Sequence, residues 1–266
     1  MKIIMKKHRY KLSYLFVFLI LLIPPICFAD NLVYPVTDAG DIFKVLKYIF
    51  ANKTFKNLPT VSTALKTLNC SMLVLFFFSK NVKKYFNIYV FCYMLFITLT
   101  QYIAYVEGYG LVISAGSFIL MLVTCLAWLF KFKKEQEHIT VNKRYLWLLI
   151  PVILCIWYPL NKHAQFDFGL NPIQHYFSSS MYCFNMPVFM SFLLIFYKDN
   201  IGGFYEVISL IGLVFGLIAF FVNLTYQTGI PNAIMHIPLI ITSLTLFLHS
   251  FAHRLKNEKR MLTNET

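Results

Sequence analysis

The chain has 266 residues, of which 59% are hydrophobic, 18% aromatic and only 13% charged, a composition too apolar for a water-soluble domain of this length. The formal net charge is +13, from 24 Lys and Arg against 11 Asp and Glu. The basic residues fall in short runs between apolar stretches, at Lys80/Lys83/Lys84, Lys131/Lys133/Lys134, Lys143/Arg144 and Arg254/Lys256/Lys259/Arg260, which is the positive-inside pattern of a membrane protein and excludes a large basic domain for nucleic acid.

Residues 1–29 open with Lys2, Lys6, Lys7, Arg9 and Lys11, run apolar from Leu12 to Ile23, break at Pro24-Pro25 and end on Cys27-Phe28-Ala29. Basic, apolar, broken and small is the layout of a secretory signal peptide cut after Ala29, with an uncleaved first span as the alternative. Either reading puts Asp30 outside the cytoplasm. Residues 30–61 form an extracytoplasmic segment in which Asp41 to Phe50 repeats apolar residues at helical spacing. Asp41 serves as N-cap, and the spacing predicts a short amphipathic helix lying on the outer leaflet with Lys44 and Lys47 toward the head groups.

From residue 62 to 253 seven apolar stretches approach the length of about 20 residues that crosses a bilayer, at 62–79, 85–105, 111–130, 145–160, 180–197, 205–225 and 233–253. The fourth is short. The expected fold is therefore all-α, a polytopic transmembrane helix bundle of about seven spans in a bacterial inner membrane. The basic runs then lie in the cytoplasm, the N-terminus is out, the C-terminus is in, and residues 254–266 form a cytoplasmic basic tail. Five of the six cysteines fall within or at the edge of different spans, so no structural disulfide is expected.

On the sixth span Ser209, Gly212, Gly216 and Ala219 share one face, a small-residue stripe that lets another helix approach closely. Intramolecular packing is the plain reading and a dimer seam the alternative. The apolar centres carry no Asp, Glu or Arg, and Lys66 sits near the end of its span, where it is expected to snorkel. That absence argues against a proton- or sodium-coupled pump. His249 and His253, four apart on the last span, would need His138, Glu135 and Glu137 to complete a metal site.

Trp157 to His175 is a polar island between the fourth and fifth spans, predicted to face outward. His163 and Asp167 are four apart and His175 follows a Gly169-to-Pro172 turn, so the three are candidate metal ligands, with His236 from the seventh span as a fourth ligand or a base. Solvated loop residues with no ligand are the plainer alternative. As a binding rim, Trp157 and Tyr158 offer apolar surface, and Gln165, Asn171 and their neighbours offer hydrogen bonds.

One stretch, Tyr34 to about Thr98, resembles the N-terminal end of the membrane subunits that stabilise mating pairs in conjugative secretion: an exported aromatic-and-glycine segment, a helix such as Asp41 to Phe50, then two spans. The resemblance implies a component of an envelope or secretion assembly, with other membrane subunits as partners; the later spans depart from the pattern. The first functional expectation is thus a non-enzymatic protein of the bilayer that binds or passes a small ligand or serves such an assembly, without a cofactor. The second is a membrane-embedded enzyme acting on a lipid-linked substrate at the outer leaflet, with zinc held by His163, Asp167 and His175.

Overall fold

The computed structural model describes residues 13–29, 32–51, 59–78, 82–132, 141–161, 165–169, 181–196, 203–225 and 229–263. These are mostly helical, with one four-stranded antiparallel sheet that hydropathy did not foresee. The chain divides into two compact units, one built of residues 16–136 and 179–182, the other of residues 1–15, 137–178 and 183–266.

A helix α1 over residues 13–21, of which residues 16–21 belong to the first unit, leads into β1 (Ile26–Ala29), followed by β2 (Leu32–Pro35). After α2 (Ala39–Ala51), α3 (Pro59–Phe78) and α4 (Val82–Gln101) come β3 (Ile103–Val106), β4 (Gly110–Ile113) and α5 (Ala115–Phe132). The strand order is β2-β1-β4-β3, so β1 is paired on both sides. The β3–β4 turn is Glu107-Gly108-Tyr109, and Gly108 adopts φ +81°, a left-handed conformation that a side chain would strain.

Alternation gives the sheet two faces. Cys27, Val112 and Ala104 stand in register across three strands and are all buried. Their neighbours in the next row, Phe28, Leu111 and Tyr105, are exposed. The buried face is covered by α2, whose Val45 and Ile49 are fully enclosed and whose Ile42 and Leu46 pack alongside. The helix expected on a membrane leaflet therefore spends its apolar face on a protein core. Its N-cap is Asp38, whose Oδ1 accepts from the backbone N–H groups of Gly40 (2.8 Å) and Asp41 (3.1 Å), and not Asp41 itself. Burial in this core raises the Cys27 thiol above its ordinary pKa.

The end of the expected leader is thus an interior strand. The segment before it also packs closely on α5: a Cβ on Gly116 would run into the Ile20 carbonyl and lie 3.2 Å from that of Ile23. Gly116→Ala is expected to lower stability by roughly 1–3 kcal/mol, because backbone cannot yield as a side-chain tip can. Thermal unfolding of the purified protein checks this. Unchanged stability would mean that residues 20–23 do not stay against α5, as a chain cut after Ala29 requires.

In the second unit a 3-10 turn (Lys143–Leu148), capped by Asn142, leads into α6 (Leu149–Trp157). Further on lie α7 (Tyr182–Phe196), α8 (Gly203–Thr225), the short α9 (Gly229–Ile234) and α10 (Ile237–Thr263). Tyr158, at φ +50°, ends α6 after nine residues, about 14 Å at the α-helical rise. A bilayer core is about 30 Å thick, so α6 alone does not reach across it; the fourth expected span also takes in most of the 3-10 turn before it. Two stretches are long and apolar enough, Phe204–Thr225 with mean hydropathy 2.6 and Gly229–Lys256 with 1.6. Tyr85–Gln101, Ala115–Leu126 and Tyr182–Phe196 are apolar but shorter. Among the described residues two of the seven expected spans are thus clearly membrane-capable.

The helices α8 and α10 form a hairpin. A Cβ on Gly212 would lie 2.5 Å from Ser243 Oγ and 2.7 Å from Met190 Cε, and one on Gly216 would lie 3.0 Å from Ile240 Cγ1. The two glycines accordingly sit against other helices of the same unit.

Candidate functional site

The described part of the polar island closes on itself. Leu160 pairs with Phe166 as an isolated antiparallel bridge. The Asn161 N–H donates to the Gln165 carbonyl (2.8 Å), while Asn161 Oδ1 accepts from the Gln165 N–H (3.1 Å). Asp167 Oδ1 accepts from the Gly169 N–H at 2.9 Å, a local turn bond that Asp forms readily. Trp157 Nε1 donates to the Gly169 carbonyl (3.1 Å) and its ring meets Phe168 edge-on, with Phe166 stacked behind. Gln165, Phe166 and Phe168 are exposed. His163, Asn171 and His175 lie outside the described residues, as do His138, Glu135 and Glu137 of the other expected metal set. Among the described residues no three His, Cys, Asp or Glu side chains gather as a metal site would need.

Tyr158 leaves the island and reaches the hairpin. It is 8% exposed, its hydroxyl donates to Asn232 Oδ1 (3.3 Å), and its ring packs on Phe184 at 4.6 Å between centroids. Phe184 in turn stacks on the His236 imidazole at 5.5 Å and 27°. His236 Nε2 lies 3.1 Å from Asn223 Nδ2, which also donates to the Ala219 carbonyl at 2.7 Å. An amide nitrogen can only donate, so in this arrangement His236 Nε2 stands as the acceptor. The structure thus brings Tyr158 and His236 together through Phe184, whereas Asp167 is engaged in its own turn. Asn223, Asn232 and Phe184 escaped the sequence reading; the signal available was two asparagines flanking the Thr225–Asn232 join.

At the opposite end of the hairpin an acid is buried at the edge of an apolar stretch, outside the apolar centres. Glu206, in the first turn of α8, is 0% exposed, and its Oε1 accepts from Arg254 Nη2 at 3.0 Å. The Arg254 guanidinium also lies over the Phe251 ring, 4.9 Å from its centroid. Beside this pair, Tyr145 Oη and His249 Nδ1 are 2.7 Å apart with the rings edge-on, and Arg144 lies over the Tyr145 ring. Ser209, at the start of the small-residue stripe, is buried and donates to the Glu206 carbonyl at 2.9 Å, and half-buried Ala219 is the acceptor for Asn223.

Lys66, in the other unit, does not snorkel. It is 4% exposed, and on the following turn buried Asn69 donates to Tyr93 Oη (3.2 Å) and accepts from the Tyr89 hydroxyl. All six cysteines are free thiols.

These features define a mostly helical protein in which two helices are long and apolar enough to cross a membrane. No family model, curated protein or solved structure matches the chain.

Proposed function

We propose that the chain is a multi-pass inner-membrane protein that binds or passes a small polar ligand from the outer side, at the Asn223–His236 end of the hairpin. The observation that carries this reading is the pairing of Asn223 with a 9% exposed His236 against the Phe184 and Tyr158 rings. Polar groups within membrane-capable helices are costly and are kept where they act. Aromatic walls with a few directed donors and acceptors are the usual make-up of a small-ligand site. An imidazole, a tyrosine hydroxyl and two amides recognise a ligand by directed hydrogen bonding. The bilayer is the remaining partner, and its inner face meets the basic runs.

Detergent-purified protein screened by thermal unfolding against a panel of amino acids, sugars and nucleobases tests the site. A ligand present at a hundred times its Kd stabilises by about 2.7 kcal/mol, and this gain is expected to vanish in Asn223→Leu. A ligand that stabilises both proteins equally would place the site elsewhere. A reporter fused to the C-terminus is expected to remain cytoplasmic; its export would overturn the orientation.

A further inference from the structure

We infer that the face of the sheet turned away from α2 docks on the bilayer, lying flat at the head-group boundary of the outer leaflet with its side chains among the acyl chains. The inference rests on the inner-membrane reading above and is independent of the ligand site at Asn223 and His236.

Side chains two apart on a strand share a face. Across β1, β4 and β3 the register therefore sets Ile26, Ile113 and Ile103 in one row and Phe28, Leu111 and Tyr105 in the next. The isoleucines are half-buried, whereas Phe28, Leu111 and Tyr105 are 40%, 43% and 76% exposed. An antiparallel sheet that packs one face on a core commonly turns polar side chains outward on the other. This one is apolar on both faces, and a contiguous exposed apolar patch marks a surface that meets a partner. The chain also enters β1 from Leu22 and Ile23, 77% and 38% exposed, so exposed apolar residues run up to the edge of the face.

Size decides which partner fits. Four strands of four residues span roughly 19 by 13 Å, about 250 Å². A stable protein interface takes about 800 Å² from each side, so a second copy seated on this face alone falls well short. Lipid sets no such threshold, because each apolar side chain that enters the acyl region contributes by itself.

The polar groups are distributed to match. None of the four strands carries a charged residue. Charge enters at the rim: Asp30 belongs to the join of β1 and β2, Glu107 is exposed at the tip of the β3–β4 turn, and the exposed Lys44 of α2 lies over the Tyr109 ring of that turn at 6.0 Å. Tyr105, the most exposed of the six, is a residue type enriched where membrane meets water. β2 and β3 are the edges of an open sheet, and open edges are not tolerated in hydrocarbon, so the face stays shallow. The sheet thus meets the lipid, and α2, packed on its other face, stands on the water side.

Tryptophan placed in the face reports on this. Full-length Tyr105→Trp is reconstituted in vesicles of phosphatidylcholine and phosphatidylglycerol with plain or brominated acyl chains, and the wild-type emission is subtracted. The added emission is expected to lose most of its intensity in brominated lipid, more with bromines near the head group than near the chain end. Leu111→Trp is expected to behave alike and keeps the test decisive should Tyr105→Trp fail to fold. Ile218→Trp, at a 49% exposed position of α8, reports separately on the membrane reading. If it is quenched while both sheet tryptophans are not, the docking is overturned and the face belongs to a protein partner or a second copy. If none is quenched, the inner-membrane reading falls with it. Quenching of the sheet tryptophans alone would keep the docking and take α8 out of the bilayer, and stronger quenching by the deep bromines would overturn the shallow position.

Discussion

Arg254→Ala is expected to cost roughly 3–5 kcal/mol of stability, the range seen when one partner of a buried ion pair is removed and the other stays charged and enclosed. Glu206 has 0% exposure, so water cannot take over the role of the guanidinium. Arg254 also covers the Phe251 ring, which adds to the loss. The informative comparison is the double variant Glu206→Met with Arg254→Leu. Replacing both charges by apolar groups of similar size is often neutral or stabilising, so the double variant is expected to recover most of what Arg254→Ala loses. Denaturant unfolding in detergent measures both. A small effect of Arg254→Ala would mean that Glu206 has another route to solvent or a second cation, and that the pair does not hold the hairpin.

This pair shows where a linear reading stops. Glu206 lies at the edge of an apolar stretch and Arg254 just past the end of another, 48 residues on, so each looks like an ordinary interfacial charge. Only the packing of α8 on α10 makes them partners. The sheet was hidden for a different reason. Its strands are four residues long, and β3 and β4 are apolar continuations of helices on either side, so a hydropathy window of about 19 residues merges them into two spans. The helix from Asp41 to Phe50 was legible because its period is local, but what its apolar face meets is decided by strands as distant in sequence as that of Val112, 67 residues after Val45. The fourth span is divided between a 3-10 turn and a nine-residue helix that ends on the left-handed Tyr158, a division that no composition reveals. The candidate site was legible only in Tyr158 and His236; the asparagines that complete it are single polar residues at helix ends, common in any membrane protein.

The small-residue stripe was visible as spacing, and the coordinates give it a testable sign. Alanine is normally about 1 kcal/mol better than glycine inside a helix, so an open position would make Gly212→Ala stabilising. Here the added carbon would meet Ser243 Oγ at 2.5 Å and Met190 Cε at 2.7 Å. The methionine tip can swing aside, but Ser243 is 0% exposed and has a short side chain with little room to move. Overpacking of this kind typically costs about 1–3 kcal/mol. In a bilayer the cost is not offset by apolar burial, since lipid solvates a separated helix as well as protein does, and close packing itself holds helices together. Gly212→Ala is therefore expected to be net destabilising, and Gly212→Val more so. Gly216→Ala should cost less, because its nearest contact is the Ile240 side chain at 3.0 Å. Pairing Gly212→Ala with Ser243→Gly removes the obstructing hydroxyl and should restore part of the loss, a coupling that a double-mutant cycle measures directly. Additive effects in that cycle would show that α8 and α10 do not meet at this point, and with that contact gone the positions of both ends of the hairpin would have to be drawn again.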